Sequence, residues 1–436
     1  MSPRSPLDLL GVGVGPFNLG LAALADGIDD LRLLCLDERP AFRWHDGMLL
    51  PGTTLQVPFL ADLVTLVDPT SRWSFLAYLR EHGRLFPFYF AERFLVPRRE
   101  FDDYCRWVAA GLDACRFGHH VAALAWDDEA GCFVADVRGP AGPQRLWARN
   151  VVLGVGTAPH LPAPLRGPAT THGDRVLHSA GYLPARERLV ELDDVTVVGS
   201  GQSGAEVFLD LLRAQRPGQH RRWVTRTRAL APMEYSKLGL EQFTPDYTAY
   251  FRGLDDPVRE RVLPRQAQLY KAISAETIAD IQATLYEQTV GGGWPPATII
   301  PNVALEEATV TADGVRLRLH EPDEDRKATL TTGAVVAATG YRPRRPTCIA
   351  GLSERIDWDE QGRYRVDATY RVATDPDIRG GLYVQNAELH THGVGAPDLG
   401  LGAWRSATIL NAVVGRAVHP LPARTAFTSF GLAGAR

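Results

Sequence analysis

The chain has 436 residues, of which 45% are hydrophobic and 22% charged, and its formal net charge is −4. This length and composition are typical of a globular protein with two or three domains. The small negative charge provides no basic field, so nucleic acid is not expected as a partner. Residues 7–25 are the most apolar stretch near the N-terminus, but their glycine-rich centre predicts a strand, a turn and a helix rather than a signal peptide. No other stretch reaches the roughly 20 apolar residues of a membrane span, and we expect a cytoplasmic protein without membrane contact.

The first predicted element is a strand that leads into a glycine-rich turn. Residues 9–18 read Leu-Leu-Gly-Val-Gly-Val-Gly-Pro-Phe-Asn, and residues 19–25 continue as a helix. Glycines at such a turn let the backbone approach a pyrophosphate, whose charge then lies on the free amides of the helix N-terminus. The next apolar strand, residues 31–36, ends in Asp37, where an acid would bind a ribose hydroxyl and repel a 2′-phosphate. This half therefore favours FAD, although Asn18 stands where a third glycine would usually pack.

A second glycine-rich turn follows about one domain later. Before it lie a buried strand at residues 151–157 and prolines at 159, 162 and 164, which predict a hinge. Residues 195–206 read Val-Thr-Val-Val-Gly-Ser-Gly-Gln-Ser-Gly-Ala-Glu, and the next strand, residues 222–225, ends in Arg226 with Arg228 close behind. The planar guanidinium of arginine suits phosphate oxygens, so this half favours NADPH over NADH. One glycine turn is weak evidence, but two in one chain predict a flavin and a nicotinamide bound together.

The remaining elements predict that one nucleotide-binding domain is inserted in the other. Residues 231–289 change to aromatic-rich helices, and a glycine run at 291–293 ends them. Residues 335–341 form another buried strand with a glycine turn, after which the chain should return to the first domain. We predict an α/β fold with two Rossmann-like domains. The predicted boundaries are 1–160 and 334–436 for the FAD domain, 161–230 and 291–333 for the NADPH domain, and 231–290 for a small, mainly helical substrate subdomain.

The cysteines and histidines predict neither a metal site nor a dithiol. The five cysteines are scattered, and none forms a Cys-x-x-Cys pair, which excludes a zinc knuckle and the redox dithiol of the disulfide reductases. His390 and His392 would point to one side of a strand, but no third ligand follows nearby.

Several longer motifs occur in order along the chain. They are Gly13-x-Gly-Pro-Phe-Asn18, Phe42-x-Trp-His-x-Gly-Met48, Leu55-Gln-x-x-Phe-Leu-x-Asp-Leu63, Gly201-Gln-Ser-Gly-Ala-Glu206, Ala338-Thr-Gly-Tyr341, Thr391-His-Gly393 and Ala403-Trp-Arg-Ser406. Through them nearly the whole chain resembles the flavin-dependent N-hydroxylating monooxygenases of hydroxamate siderophore synthesis, which include lysine, ornithine and diamine N-monooxygenases. The resemblance implies NADPH reduction of FAD, formation of a C4a-hydroperoxyflavin with O2, and transfer of its distal oxygen to a neutral primary amine. No protein acid or base is implied, because the cofactor supplies the chemistry.

The resemblance also implies which residues contact the cofactors and the substrate. For FAD they are Gly13, Gly15, Pro16, Phe17, Asn18, Asp37, Glu38, Trp44, His45, Gln56 near the isoalloxazine, Val121, Pro397, Asp398 and Leu399. For NADPH they are Gly201, Gln202, Ser203, Gly204, Arg226, Tyr270, Lys271, Thr339, Gly340 and Tyr341. For the substrate they are Ala61, Leu240, Glu241, Leu269 and Gly400.

Three substrate positions depart from the amino-acid hydroxylases of this family. Those enzymes generally carry a lysine, placed to meet the substrate carboxylate, where the chain has Ala61, and ornithine hydroxylases tend to have polar residues at Leu240 and Leu269. A carboxylate taken out of water without a cationic partner costs several kcal/mol. The sequence therefore favours a diamine, cadaverine or putrescine, over lysine or ornithine, unless Lys237 or Lys271 has taken over the missing charge.

Two further functions stay open at this point. His178-Ser-x-x-Tyr182 faintly resembles the general flavin monooxygenases, which attack sulfides or ketones, although Gly173 lies one residue too far upstream for their pattern. A flavoprotein that only oxidises NADPH and releases peroxide would share the same glycine turns. Because relatives are often tetramers, the resemblance also implies a homo-oligomer.

Overall fold

A computed structural model describes residues 5–432, in which strands and helices alternate along most of the chain. The strands are β1 Leu7–Val12, β2 Leu33–Asp37, β3 Cys115–Phe117, β4 His120–Asp127, β5 Cys132–Gly139, β6 Gly142–Leu153, β7 Thr157–Pro159, β8 Val176–His178, β9 Asp194–Val198, β10 His220–Val224, β11 Ala297–Ile300, β12 Ala304–Thr311, β13 Gly314–Glu321, β14 Arg326–Thr332, β15 Ala334–Ala337, β16 Tyr341–Pro343 and β17 Leu382–Val384. The α-helices are α1 Pro16–Ala25, α2 Phe75–Glu81, α3 Leu85–Ala91, α4 Arg98–Gly111, α5 Ala163–Thr171, α6 Tyr182–Glu191, α7 Gln202–Arg213, α8 Pro245–Arg252, α9 Asp256–Val262, α10 Ala267–Tyr270, α11 Ala275–Glu287, α12 Leu389–His392 and α13 Gly402–Val414.

The first sheet contains seven strands in the order β3-β2-β1-β6-β5-β4, with β17 also paired to β6. Parallel pairing joins β3 to β2, β2 to β1, β1 to the second half of β6, and β6 to β17. Antiparallel pairing joins β4, β5 and the first half of β6 into a ribbon. β1 is buried almost throughout, as expected for a parallel strand covered on both faces. The late helix α13 packs beside α1 on this sheet. The end of the chain therefore completes the domain that its beginning starts.

The second sheet contains five parallel strands in the order β11-β10-β9-β15-β8. Helix α7 follows β9 and joins the apolar cluster on one face of this sheet. The antiparallel sheet β12-β13-β14 shares a separate apolar cluster with the opposite face. Both large sheets carry the strand-turn-helix unit of a Rossmann-like domain, and the predicted fold class is confirmed.

The chain passes between the two sheets twice, and the two passages lie side by side. β7 leads out of the first sheet, β16 leads back, and the two strands pair in antiparallel register. This pairing confirms that the second domain is inserted in the first. The predicted boundary at residue 334 is wrong by one strand, because β15 pairs with β9 and β8 in the second sheet. The return to the first domain therefore follows residue 340 rather than residue 333.

The segment 231–290 is helical as predicted, but it divides between two parts of the molecule. In α8, Tyr247 and Phe251 form a small core with Val394 from the C-terminal part of the chain. Helix α11 instead packs on α7, and Ile281 joins the core of the second domain. The helical subdomain is therefore smaller than predicted, because the apolar stripe of α11 is buried against the neighbouring domain.

The two histidines near the C-terminus do not lie on a strand, contrary to the prediction. Both are in α12, a single turn that ends at Gly393, where φ is 74°. His392 stacks on Tyr370 with ring centroids 4.5 Å apart, and burial lowers its pKa to about 3. His392 is therefore a neutral packing group. Within residues 5–432, no three potential ligands are arranged to hold a metal ion, and no helix combines the length and apolar composition needed to cross a bilayer.

Candidate active site

The first glycine turn is tight on one side and open on the other. Gly13 has φ +88°, and a Cβ there would lie 2.6 Å from the carbonyl oxygen of Gly154. Gly15, the N-cap of α1, has no capping side chain, and no heavy atom would lie within 4 Å of its Cβ. The start of α1 therefore faces open space, as a pyrophosphate site requires.

Asn18 explains why this turn lacks its usual third glycine. Its amide group donates to the carbonyl oxygens of Gly13 at 2.8 Å and Val12 at 3.3 Å, and its Oδ1 accepts from Gln385 Nε2 at 2.8 Å. The room for this side chain comes from Gly154, where a Cβ would lie 2.4 Å from Asn18. Asn18 thus joins the turn to the segment after β17, and the glycine needed for close packing lies at the end of β6.

Asp37 ends β2, where the sequence predicts a ribose contact, but protein donors already occupy its carboxylate. Oδ2 accepts from the Val14 amide and from the Arg39 guanidinium, both at 2.8 Å, and Oδ1 accepts from Arg39 N and Nε at 2.9 Å. Burial alone would raise the pKa of Asp37, but these hydrogen bonds lower it below its usual value. The neighbouring Glu38 is half exposed and contacts His120 at 2.9 Å. Glu38 is therefore the more accessible acid, and a ribose contact to Asp37 requires Arg39 to move away.

The second glycine turn is built on the same plan. Gly199 has φ +137°, and a Cβ there would lie 2.1 Å from the carbonyl oxygen of Ala338. Gly201, the N-cap of α7, again has no capping side chain. The side chain of Gln202 binds the start of α11 instead, where its Oε1 accepts from the Ser274 amide at 2.7 Å. The start of α7 is therefore left uncapped, as at the first turn.

The two arginines after β10 differ in how they are held. Arg228 donates two guanidinium nitrogens to Asp323, one of them at 2.7 Å. Arg226 is exposed, and within residues 5–432 it forms no ion pair. Arg226 is therefore the arginine whose charge is available to a phosphate.

A cavity of about 1150 Å³ opens between the two nucleotide-binding domains and the helical subdomain. Its wall is mostly apolar with a few polar groups, as is typical of small-molecule sites. The predicted residues that line it are Trp44, His45, Gln56, Ala61, Gln202, Ser203, Leu240, Leu269, Tyr270, Tyr341, Pro397, Asp398, Leu399 and Gly400. Cofactor and substrate positions from distant parts of the sequence thus meet in one space.

The other predicted residues lie outside this wall. Glu241 turns its carboxylate to the amides of Phe427 and Thr428, at 3.0 and 2.7 Å, so its prediction as a substrate contact is corrected. It serves instead to satisfy backbone donors of the C-terminal segment. The Lys271 ammonium lies over the ring of Tyr270, 5.0 Å from the centroid. Also outside the wall are Gly13, Gly15, Pro16, Phe17, Asn18, Asp37, Glu38, Val121, Gly201, Gly204, Arg226, Thr339 and Gly340.

Two polar groups in the cavity wall are left without partners. Gln56 Nε2 and the Tyr235 hydroxyl are buried and form no hydrogen bond with the part of the chain that the structure describes. A buried polar group that stays unpaired costs roughly 1–3 kcal/mol, so a ligand that accepts from them would be favoured. Gln56 thus fits the position near a flavin that the motifs imply. Sequence reasoning missed Tyr235, because no motif includes it.

His45 places an aromatic but uncharged group in the cavity. Its backbone is left-handed, with φ 49°, and its ring centroid lies 5.6 Å from that of Tyr341 on β16. Burial, with a further contribution from the Arg98 charge, lowers the pKa of His45 to about 4. His45 is therefore neutral near pH 7 and offers no charge to a substrate carboxylate.

Asp398 places a carboxyl group in the cavity wall. Its Oδ1 accepts from the Gly400 amide at 2.7 Å, and burial raises the pKa of its carboxyl to about 6. Among residues 5–432 it forms no ion pair with a side-chain cation. A cationic ligand beside this carboxyl group would favour its ionised form.

An ion pair joins the two domains beside the cavity, and sequence reasoning missed it. Arg98 Nη1, at the start of α4, lies 2.7 Å from Glu206 Oε2 on α7, with the side chains 14% and 4% exposed. Gln202 Nε2 donates to the other carboxylate oxygen at 2.8 Å. The pair therefore connects the second glycine turn to the first domain. The only sequence signal was Glu206 itself, the last residue of the second glycine motif.

We expect Arg98→Ala to lower the free energy of unfolding by about 3–5 kcal/mol, because it leaves the buried Glu206 carboxylate without its partner. Arg99→Ala removes the exposed neighbouring charge and should change stability by less than about 0.5 kcal/mol. Denaturant midpoints of the flavin-loaded proteins measure both effects. Adding Glu206→Gln to Arg98→Ala should recover part of the loss. Equal midpoints for Arg98→Ala and Arg99→Ala would show that the pair does not stabilise the domain contact.

These features define the class of protein. Two Rossmann-like domains, each with an uncapped glycine turn, share one cavity, which is the architecture of an oxidoreductase that binds two dinucleotides. All five cysteines are free, so the chain does not carry the disulfide of a disulfide reductase.

Comparison with known proteins identifies the family. The family model for L-lysine 6-monooxygenase/L-ornithine 5-monooxygenase matches residues 5–343. The rhizobactin siderophore biosynthesis protein RhbE of Rhizobium meliloti is 45% identical, over 98% of this chain and 95% of its own length. Putrescine N-hydroxylase of Shewanella oneidensis is 41% identical, over 98% of this chain and 84% of its own length.

A solved structure agrees with these relatives. The FAD-bound cadaverine monooxygenase DfoA of Erwinia amylovora matches with a TM-score of 0.93 at 37% identity, over 98% of this chain and 99% of that chain. The chain belongs to the L-lysine 6-monooxygenase/L-ornithine 5-monooxygenase family. The family resemblance carried by the motifs is thereby confirmed.

Proposed function

We propose that the protein is an FAD- and NADPH-dependent monooxygenase that uses O2 to N-hydroxylate one terminal amine of cadaverine or putrescine, for hydroxamate siderophore biosynthesis. The putrescine N-hydroxylase and the cadaverine monooxygenase, which align with nearly the whole chain, support the reaction class and a diamine substrate. The two uncapped helix starts at the glycine turns suit two pyrophosphates, and the unpaired Gln56 amide suits a flavin edge. The residues assigned to each cofactor, and the domain boundaries as adjusted above, belong to this proposal.

The position of Asp398 carries the choice of a diamine. Asp398 Oδ1 and Ala61 Cβ both lie within 4 Å of the place that a Cβ on Gly400 would take. The resemblance places the lysine of the amino-acid hydroxylases at position 61. This chain has the methyl group of Ala61 there, with the Asp398 carboxylate nearby. A distal ammonium would form a charge-assisted hydrogen bond with Asp398. The carboxylate of lysine or ornithine would instead meet a like charge.

Two further positions in the cavity wall agree with a diamine. Leu240 and Leu269 line the cavity and are apolar, so they provide no hydrogen-bond partner for the head group of an amino acid. Bound FAD, reduced by NADPH, would supply the oxygen chemistry. The chain's own part is to anchor the distal ammonium of the substrate and to exclude water.

One observation supports a second candidate, L-lysine or L-ornithine. Lys237 lines the cavity, and within residues 5–432 it forms no ion pair, so a substrate carboxylate would have one cation within the site. Lys237 is exposed and therefore more strongly hydrated than Asp398. An exposed, hydrated lysine offsets less of the carboxylate's desolvation than a buried one would.

An assay of four amines tests the proposal. Cadaverine or putrescine should yield hydroxylamine coupled to NADPH use, with kcat/KM at least about tenfold above lysine and ornithine, which corresponds to about 1.4 kcal/mol. The measurement is hydroxylamine formed per NADPH consumed for each amine, with Lys237→Ala as a parallel variant. Best coupling with lysine or ornithine, abolished by Lys237→Ala, would establish the second candidate. Products from sulfides or ketones, or peroxide alone, would place the protein in another flavoprotein class.

Two further parts of the proposal concern the state of the enzyme in the cell. We place it in the cytoplasm, where NADPH is available, and we expect a homo-oligomer, with a tetramer as one form. Support for assembly comes from the family resemblance and from an exposed apolar surface on the first domain.

A further inference from the structure

Helix α3 is apolar and lies almost entirely in water. Its sequence is Leu-Phe-Pro-Phe-Tyr-Phe-Ala, and none of its residues is buried. With its neighbours it forms a surface that we call the α3 face, which consists of Leu76, Leu85, Phe86, Tyr89, Phe90 and Phe94. An apolar surface of this kind on a globular protein marks an interaction site.

The size of the α3 face matches one partner's share of a stable protein interface. Its four exposed aromatic side chains are 56–76% accessible. Because one aromatic side chain buries about 150–250 Å², together they leave roughly 400–700 Å² in water. A standard interface buries about 800 Å² on each partner. The exposed leucines of the face, Leu76 and Leu85, add to the aromatic area.

The shape of the α3 face indicates what covers it. A groove of about 570 Å³ runs between its side chains, with Phe59 and Phe88 in its wall, and the rings of Phe86 and Phe90 project beside it. One surface thus carries both a groove and ridges. A two-fold contact uses the same patch on both copies, so this combination lets the ridges of each copy fill the groove of the other.

The charges on the groove rim agree with a two-fold contact. Glu92 and Arg93 line the groove, are exposed, and within residues 5–432 form no ion pair. In a two-fold arrangement Glu92 of one copy can meet Arg93 of the other, and the reverse, so that the contact contains two ion pairs. A membrane surface would call for lysine and arginine around the apolar side chains rather than one charge of each sign.

We propose that the α3 face is the contact between two copies of this chain. Phe94 lines both the groove and the cavity between the domains, so the second copy covers the outer side of the cavity wall. This inference does not depend on which amine the enzyme oxidises. It assigns the expected self-association to one surface.

Sedimentation velocity of the flavin-loaded full chain, over a dilution series, tests the assignment. The parent protein should form an assembly with an even number of copies. Phe86→Glu and Phe90→Glu should each raise the dissociation constant of this contact about a hundredfold, because each buries a carboxylate in an apolar interface. Tyr286→Glu, at an exposed aromatic residue of α11, is the matched control and should leave the mass unchanged. Flavin content reports whether each variant is folded.

A charge exchange separates a two-fold contact from any other use of this face. Glu92→Arg alone and Arg93→Glu alone should each weaken the assembly, because each brings two like charges together across the axis. The double exchange, Glu92→Arg with Arg93→Glu, should restore it. A parent protein that stays monomeric, apolar-to-Glu variants that assemble like the control, or a double exchange no better than the single ones would overturn the proposal.

Discussion

Ala61→Lys should lower kcat/KM for cadaverine and putrescine roughly tenfold to a hundredfold, the range of one charge-assisted hydrogen bond of about 1.5–3 kcal/mol. The new ammonium would lie near Asp398 and take the place of the distal ammonium of the substrate. Reduction of the flavin by NADPH should continue, so NADPH use should become uncoupled from hydroxylamine formation. Steady-state hydroxylamine yields per NADPH measure this change.

Ala61→Met, which adds a similar volume without a charge, is the control and should cost the diamines less than Ala61→Lys. Asp398→Asn should weaken diamine turnover to a similar extent and should add little to Ala61→Lys. Burial raises the pKa of Asp398 to about 6, so its attraction for an ammonium is present above that pH and lost as the pH falls through it. The parent kcat/KM should show this loss, and Asp398→Asn should not. Equal losses for diamines and for lysine would contradict a role of Asp398 in selecting the diamine.

Arg226→Ala should raise the KM for NADPH roughly tenfold to a hundredfold and leave NADH nearly unchanged. Only NADPH carries the 2′-phosphate with which the exposed guanidinium would pair. Rates of anaerobic flavin reduction with each coenzyme measure the preference directly.

Arg228→Ala is the matched control for this experiment. Asp323 already holds the Arg228 guanidinium, so its loss should affect NADPH much less than the loss of Arg226. If Arg226→Ala weakened both coenzymes equally, the residue would not recognise the phosphate.

The sequence alone determined the features that depend on local backbone constraints. Left-handed φ angles at Gly13 and Gly199, with a carbonyl oxygen close to each, leave room for no side chain, so glycine had to stand at both turns. Buried parallel strands need unbroken apolar runs, so β1, β9 and β15 could be predicted as strands from their sequences. The family motifs contain these same constraints. The two-domain fold and the reaction class could therefore be predicted before the structure.

Only the tertiary structure decided the contacts between distant segments. Asn18 replaces a glycine because Gly154 leaves it room and Gln385, 367 positions away in the chain, donates to it. Arg98 and Glu206 are 108 positions apart and meet only when the two domains dock. Helix α11 packs on α7 of the second domain, and Glu241 binds backbone amides of the C-terminal segment, and neither contact could be predicted from the local sequence. Asp398 likewise approaches Ala61 only in the folded chain, since the energy of a pair depends on distance and burial, and the sequence pattern carries neither.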